Sequence, residues 1–242
     1  MKSEQEKSAV YRTPMAEIVC AKIWGKPVFF TITNPKDVIQ KKHVKGAFYE
    51  EEELEIIRKN CRPGMVFCDI GSNIGNHALF ALKFLHVAKV ILFEPNPVAI
   101  VVLRSNLTLN GVIDHCDDQH LGLGLSDSSA KGLGMDVPDR NLGGGRMVEG
   151  SGDLGVIRGD EALAGQKIDF IKLDVEGMEM RVLAGLRETI ARERPIMFVE
   201  VDVENIEAFQ AWAAESRYLI RDTYKRYREN KNFLLVPQPE GS

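Results

Sequence analysis

Asp69-Ile70-Gly71-Ser72-Asn73-Ile74-Gly75-Asn76-His77 is the stretch on which the reading of this 242-residue chain turns. It follows directly from the apolar run that starts at Met65, which has the composition of a buried strand. It leads into Asn76–Leu85, where apolar residues recur at helical spacing. At such a strand-to-helix turn the backbone must bend sharply and pass close to whatever binds there, and glycine permits both. The helix that opens behind Gly75 offers unpaired N–H groups at its positive end, a natural seat for a carboxylate.

Outward from this turn the chain keeps alternating between the two periods. Lys89–Phe93 reads as a strand ending at Glu94, and Asn96-Pro97 as an N-cap with proline at the first helical position, opening a helix that runs to Asn110-Gly111. His120–Leu125 and Ile168–Leu173 read as strands, Met178–Ala191 as one helix, Pro195–Val201 as a strand and Ile206–Ala214 as a helix. Tyr218–Ile220 and Phe233–Val236 read as a closing antiparallel pair. The pattern predicts an α/β fold: a mostly parallel sheet with helices on both faces and an antiparallel C-terminal strand pair. Upstream, Ala16–Ile23 and Val28–Thr33 suggest a short hairpin, and Glu51–Asn60 an amphipathic helix stopped by Arg62-Pro63-Gly64. Residues 1–60 are therefore expected to be an extension packed on a domain spanning 61–242. Residues 126–160, rich in Gly, Ser and Asp, are expected to be a long loop, with the glycine-heavy 141–152 acting as a lid.

Composition narrows the function classes. With 44% hydrophobic and 27% charged residues, the chain has the usage of a globular domain. Its net charge of −4 provides no broad basic field, so no nucleic-acid partner is expected; the basic residues between Arg217 and Lys231 read as a solvated hairpin tip. Cys20, Cys61, Cys68 and Cys116 form no C-x-x-C pair, which points to free thiols and no structural zinc. The polar N-terminus and the lack of a long apolar run predict a cytoplasmic protein without membrane insertion. Oligomeric state is not legible.

Glu94 lies nineteen residues beyond Gly75, at the end of the next strand. In doubly wound folds an acid at this point accepts hydrogen bonds from ribose hydroxyls. The glycine spacing then separates the nucleotide-type cofactors. A dinucleotide site uses G-x-G-x-x-G against a pyrophosphate, whereas here Gly71-x-x-x-Gly75 follows an acid two residues earlier. S-adenosylmethionine has no phosphate but carries an ammonium for Asp69 and a carboxylate for the helix N–H groups. That zwitterion suits the motif.

Three segments together, Asp69–His77, Phe93-Glu94-Pro95-Asn96-Pro97 and Ile171-Lys172-Leu173-Asp174-Val175-Glu176-Gly177-Met178-Glu179, resemble the FkbM family of methyltransferases. Gly46–Glu50 and Arg194–Glu200 fit the same pattern, so the likeness runs from about Lys45 to Val236. The resemblance implies a class I Rossmann-like methyltransferase fold, S-adenosylmethionine as donor, and transfer to a hydroxyl of a sugar, lipid or secondary metabolite. Asp69, Gly71, Asn73, Gly75, Asn76, Glu94, Pro95, Asn96, Asp127 and Asp174 are the expected donor-binding residues, with Asp127 placed for the adenine amino group. Asp174 is the first candidate for the base that takes the acceptor's proton or steers the sulfonium; Glu176 and Glu200 are the others. Those three acids could also hold Mg²⁺ by oxygen ligation, as in catechol-type methyltransferases, but nothing at ligand spacing demands a metal. His77 and Lys172 read as a first-turn polar residue and a structural contact to Asp174 or Glu200.

Other readings fare less well. A nicotinamide-dependent oxidoreductase would need G-x-G-x-x-G and a Tyr-x-x-x-Lys relay, both missing. A silent S-adenosylmethionine-binding partner subunit would show a degraded Lys-x-Asp-x-Glu segment, which here is whole. An N-methyltransferase of the same fold lacks the Asn/Asp-Pro-Pro-Tyr type of motif that would mark it.

Overall fold

The computed structural model describes residues 5–12, 15–138, 140–150, 152–226 and 228–239. The chain begins with a three-stranded antiparallel sheet of β1 (Gln5–Arg12), β2 (Glu17–Ile23) and β3 (Lys26–Ile32). The expected hairpin is β2–β3, and the polar stretch before it adds β1. Two helices follow, α1 (Gln40–Val44) and α2 (Glu51–Asn60), then β4 (Val66–Ile70) and α3 (Asn76–Phe80), which continues as a wider π-type turn over Ala81–Leu85. Next come β5 (Lys89–Phe93), α4 (Pro97–Leu109) and a two-residue edge strand, β6 (Cys116–Asp117). The Asn96 side chain caps α4 by accepting from the Val98 N–H at 3.0 Å, with Pro97 at the first helical position, as its sequence predicts.

The segment between β6 and the next strand of the main sheet departs from expectation. It is not a loop: β7 (Leu123–Ser126), β8 (Ala130–Asp136), β9 (Arg146–Glu149) and β10 (Leu154–Arg158) build a separate four-stranded sheet in the order β7-β10-β8-β9. Thus only part of His120–Leu125 is a strand, and it belongs to this sheet, leaving β6 as the edge of the main one. Glycines at 132, 134 and 155 and a largely exposed β8 dilute the period-2 signal that a half-buried strand normally shows.

The chain then returns through α5 (Gly159–Ala162) to β11 (Phe170–Leu173) and on through α6 (Glu179–Gly185), α7 (Arg187–Glu193), β12 (Ile196–Asp202), α8 (Ile206–Glu215), β13 (Tyr218–Tyr224) and β14 (Asn230–Pro237). The single helix expected over Met178–Ala191 is broken at Leu186. A side chain on Gly185 would meet the Ser126 carbonyl, so this turn abuts the end of β7.

The seven-stranded sheet has the order β13-β14-β12-β11-β4-β5-β6, parallel from β12 to β6, with β14 antiparallel to both neighbours. Alternate residues of each central strand serve opposite faces. Phe67 and Phe170 stack at 5.1 Å and pack with Val19, Phe30, Leu54, Leu79 and Leu103 on one face. Cys68, Ile70, Ile171 and Leu173 meet Val182, Leu183, Ile190 and Phe209 on the other. Asp69 and Lys172 are cross-strand partners on the first face. The chain winds outward from β4 to β6 and then resumes at β11 on the opposite side of β4. The crevice at the carboxyl ends of β4 and β11 is therefore the topological switch point, where ligands bind in open α/β sheets. No helix among the described residues is long and apolar enough to cross a membrane.

Candidate functional site

Gly71 leaves β4 with φ +79°, and a β-carbon there would lie 1.8 Å from the Asp174 carbonyl oxygen. The two strand ends are that close because Asp174 N–H donates to Ile70 O at 3.0 Å and the Lys172 ammonium donates to Gly71 O at 2.8 Å. Asn73, at φ +47°, points its N–H at Glu94 Oε2 (2.7 Å), while the Asn96 N–H reaches Glu94 Oε1 (2.8 Å). Burial pushes the Glu94 carboxyl up to about 7 despite those two donors.

Around Glu94 lies an inner cavity of about 600 Å³, counting the space at its open mouth. Its floor is Gly71, Asn73, Glu94, Pro95, Asp174 and Glu176; its roof is Met135, Leu142, Gly143, Gly145 and Met147 from the inserted sheet. The roof is tied down from the N-terminal segment: fully buried Asp37 accepts from Leu142 N–H at 2.9 Å and, with its other oxygen, from the Ile39 and Gln40 N–H groups. Asn73 Oδ1, buried at the seam, has no hydrogen-bond partner among the described residues.

A second, outer cavity of about 1170 Å³ opens beside the first. The two share Gly71, Asn73, Gly143, Asp174 and Glu176. Tyr49, Glu50, His77, Arg146, Lys172, Glu200 and Asn230 line the outer one alone. Its electrostatics are dominated by crowded acids around one buried ammonium. Lys172 lies 3.2 Å from Asp174 and 3.7 Å from Asp69. Burial acts to lower the Lys172 ammonium, but Asp174, Asp69 and Glu50 outweigh it and raise it. Burial, reinforced by Asp174, pushes Glu176 up to about 7 and Glu50 up to about 8. Glu200 is driven well above the usual carboxylate range by burial and by Asp174, Glu50 and Glu176; it accepts from the Asn230 and Asn232 amides at 2.7 and 3.3 Å. Burial and the neighbouring acids thus favour the protonated form of Glu200, while the two amides favour its carboxylate. One oxygen each from Asp174, Glu176 and Glu200 lies within 4.8 Å of the others, a spacing that a divalent cation could bridge.

The expected site residues thus divide. Gly71, Asn73, Glu94, Pro95 and Asp174 line the inner cavity, and Asp174, Glu176 and Glu200 meet in the outer one. Asp69 does not reach the inner cavity: it is fully buried beneath the turn, and Lys172 is its nearest cation, as the register of β4 on β11 requires. Gly75, at φ +81°, packs against Leu103. Asn96 is spent on the α4 cap. Asn76 faces the N-terminal segment, where its side chain bonds Tyr49 N–H and Tyr49 O at 3.0 Å each and His43 at 3.1 Å. Asp127 is exposed and paired with Arg181 at 3.0 Å. Leu142, Gly143, Gly145 and Met147 of the roof come from the 141–152 segment expected to be a lid. Glu50 and Met135 were not read as site residues from sequence, because they enter by tertiary contact, and the Gly46–Glu50 likeness was the one signal for Glu50.

Three comparisons bear on this geometry. The family profile described as "Methyltransferase FkbM domain" matches residues 69–229. The hexuronic acid methyltransferase AglP of Haloferax volcanii is 28% identical over 204 residues, covering 81% of this chain and 77% of the relative. The 2-O-methyltransferase NoeI of Sinorhizobium fredii is 29% identical over 170 residues, covering 62% and 67%. Among solved structures, the methyltransferase FkbM of Methylobacillus flagellatus superposes with a TM-score of 0.52 at 17% identity, over 71% of this chain but 43% of that longer one, a likeness of fold. With the profile spanning most of the chain, from the glycine turn to the C-terminal hairpin, this protein belongs to the FkbM family of S-adenosylmethionine-dependent methyltransferases.

Proposed function

We propose that the protein O-methylates a sugar hydroxyl, the inner cavity taking the methyl donor and the outer one the acceptor. The observation that carries this reading is the shared wall: Asp174 and Glu176 face both cavities, so a donor and an acceptor would meet at their carboxylates. The name of one relative, a hexuronic acid methyltransferase, supports a sugar acceptor, and that of another, a 2-O-methyltransferase, supports transfer to oxygen.

S-adenosylmethionine fits the inner cavity. Glu94 has the buried carboxylate for the ribose hydroxyls, Asn73 Oδ1 still lacks a partner among the described residues, and the Gly71 turn leaves backbone room. When bound, the donor supplies an electrophilic methyl carbon on a sulfonium. The chain's part is to hold the acceptor oxygen in line with that carbon, which accounts for much of the rate in a displacement of this kind. With donor and acceptor bound, the methyl would pass to the acceptor oxygen with the thioether as leaving group, and Asp174, which lines both cavities, would take the hydroxyl proton. Lys172 fixes the Asp174 carboxylate from beneath, at 3.2 Å.

Two measurements test this. Incubation with tritiated donor and a panel of methyl glycosides (neutral, amino and uronic) is expected to label at least one sugar at oxygen. A protein that labels none of them, yet labels an amine or a thiol in a metabolite extract, would end the sugar-hydroxyl reading. Separately, Glu94→Ala is expected to weaken S-adenosylhomocysteine by about 1.5–3 kcal/mol, the worth of a hydrogen bond to a charged group, and also to lower the thermal midpoint of the free protein, because the Asn73 and Asn96 N–H groups lose their acceptor. Calorimetry giving an unchanged affinity would mean that the ribose is held elsewhere.

A further inference from the structure

The acceptor cavity is built partly by a segment outside the 69–229 match. Glu50 precedes α2 in the left-handed region, φ +57°, where a non-glycine residue is uncommon unless its surroundings hold it. Two contacts hold it. Asn76 clamps the neighbouring Tyr49 peptide from both sides, accepting from its N–H and donating to its C=O. Arg226, from the C-terminal hairpin, binds both oxygens of Glu53 at 2.8 Å and lies over the Tyr49 ring. So anchored, Glu50 lines the outer cavity with His77, whose Nε2 is 3.7 Å from Glu50 Oε2.

We propose that Glu50 is a specificity-determining residue of the active site: aimed into the acceptor cavity by the Asn76 clamp and flanked by His77, it binds hydroxyls of an uncharged polyol next to the one that is methylated. This rests on the sugar-hydroxyl reading above. The chemistry of the wall favours an uncharged acceptor over a uronate. Glu50, Asp174, Glu176, Glu200 and Glu229 line the cavity against the cations Lys172 and Arg146, and Lys172 is already taken up by Asp174, Asp69 and the Gly71 carbonyl. Arg146 is likewise engaged, by Asp202 at 2.9 Å, so a carboxylate on the acceptor would have to compete with Asp174 and Asp202 for the two cations. A hydroxyl gains instead, because a carboxyl pushed up to about 8 by burial both donates and accepts near neutral pH, and His77, kept neutral by burial, offers one nitrogen of each kind. Asn76, expected from sequence to bind the donor, becomes a positioning residue for the acceptor.

The test uses the full chain and tritiated donor with methyl β-glucopyranoside, methyl β-glucopyranosiduronate and a glycan extract of the source cells. Glu50→Ala is expected to raise the acceptor KM at least about tenfold, the effect of losing a buried hydrogen-bond partner. Its kcat and its S-adenosylhomocysteine affinity should stay within a few-fold of wild type. Glu50→Gln, which keeps a donor and an acceptor, should recover most of the loss; a merely structural role would not produce that split. An unchanged KM in Glu50→Ala overturns the proposal, as does a parallel loss of donor affinity. Preference for the glucuronide over the glucoside overturns its uncharged-acceptor half. If label appears only in a non-sugar component of the extract, the sugar reading fails, and the same Glu50 variants run on that component decide this inference separately.

Discussion

Gly71→Ala is expected to lower stability by roughly 2–5 kcal/mol, enough to unfold the protein if its total lies at the low end of the usual range. The added β-carbon would lie 1.8 Å from the Asp174 carbonyl oxygen, a backbone atom at the end of a central strand. That atom cannot swing aside, because Asp174 N–H is bonded to Ile70 O and the Gly71 N–H to Phe93 O, each at 3.0 Å, so relief must come from parting β4 from β11. The left-handed backbone at φ +79° adds roughly 1–2 kcal/mol for any residue with a β-carbon, and forced overpacking roughly 1–3 kcal/mol more. Against a typical total of about 5–15 kcal/mol this is a large share. Gly64→Ala is the control. Gly64 has a similar φ, +82°, but nothing within 4 Å of its added carbon, so it should show the backbone cost alone. Urea unfolding of the two variants gives the answer. Equal, mild destabilisation would mean that the close approach of Gly71 to Asp174 is not a constraint on the fold.

The same comparison explains what could be read in advance. The β4–α3 turn was legible because its causes are local: a buried run, glycines where φ must be positive, and a helix behind them. The Asn96-Pro97 start of α4 was legible for the same reason. Of the inserted sheet only β7 was anticipated, in part, within His120–Leu125; β8 is largely exposed, β9 is four residues long, and a glycine interrupts β10, so neither alternation nor an apolar run marks those three. Within the site, Glu94 followed from its distance to the glycine turn. Asp69 shows the limit of that logic. Its spacing puts it at the right strand end, but which face it takes, and hence that Lys172 stands beside it, depends on the pairing of β4 with β11. The Lys172–Asp174 contact was one of two pairings expected of an alternating strand. The Asn76–Tyr49 clamp joins residues 27 positions apart, and no local pattern announces it.

Asp174→Asn carries the largest expected effect on chemistry. The substitution is nearly isosteric, and the backbone of residue 174 is held by Ile70 independently of its side chain, so the fold and the Gly71 contact should survive. What disappears is the negative charge at the seam between the two cavities and the ability to take a proton. If Asp174 is the base, kcat should fall by at least about 10²-fold, the lower range for losing general-base assistance, while S-adenosylhomocysteine affinity stays within a few-fold. Glu200 is not expected to substitute, since its two oxygens are engaged by the Asn230 and Asn232 amides. Glu176, facing both cavities, is the residue that could supply residual activity; that remainder should then follow its ionisation and grow with pH, with a midpoint below the value of about 7 that holds while Asp174 is charged. A parallel fall in donor affinity and turnover would instead assign Asp174 to the donor's methionine end and move the base to Glu176. Adding EDTA to the wild type in the same assay separates a bridging cation from a proton acceptor, because Asp174, Glu176 and Glu200 are close enough to share one. Activity that survives EDTA and is lost in Asp174→Asn identifies proton transfer as the step; a variant that turns over at the wild-type rate removes Asp174 from the mechanism.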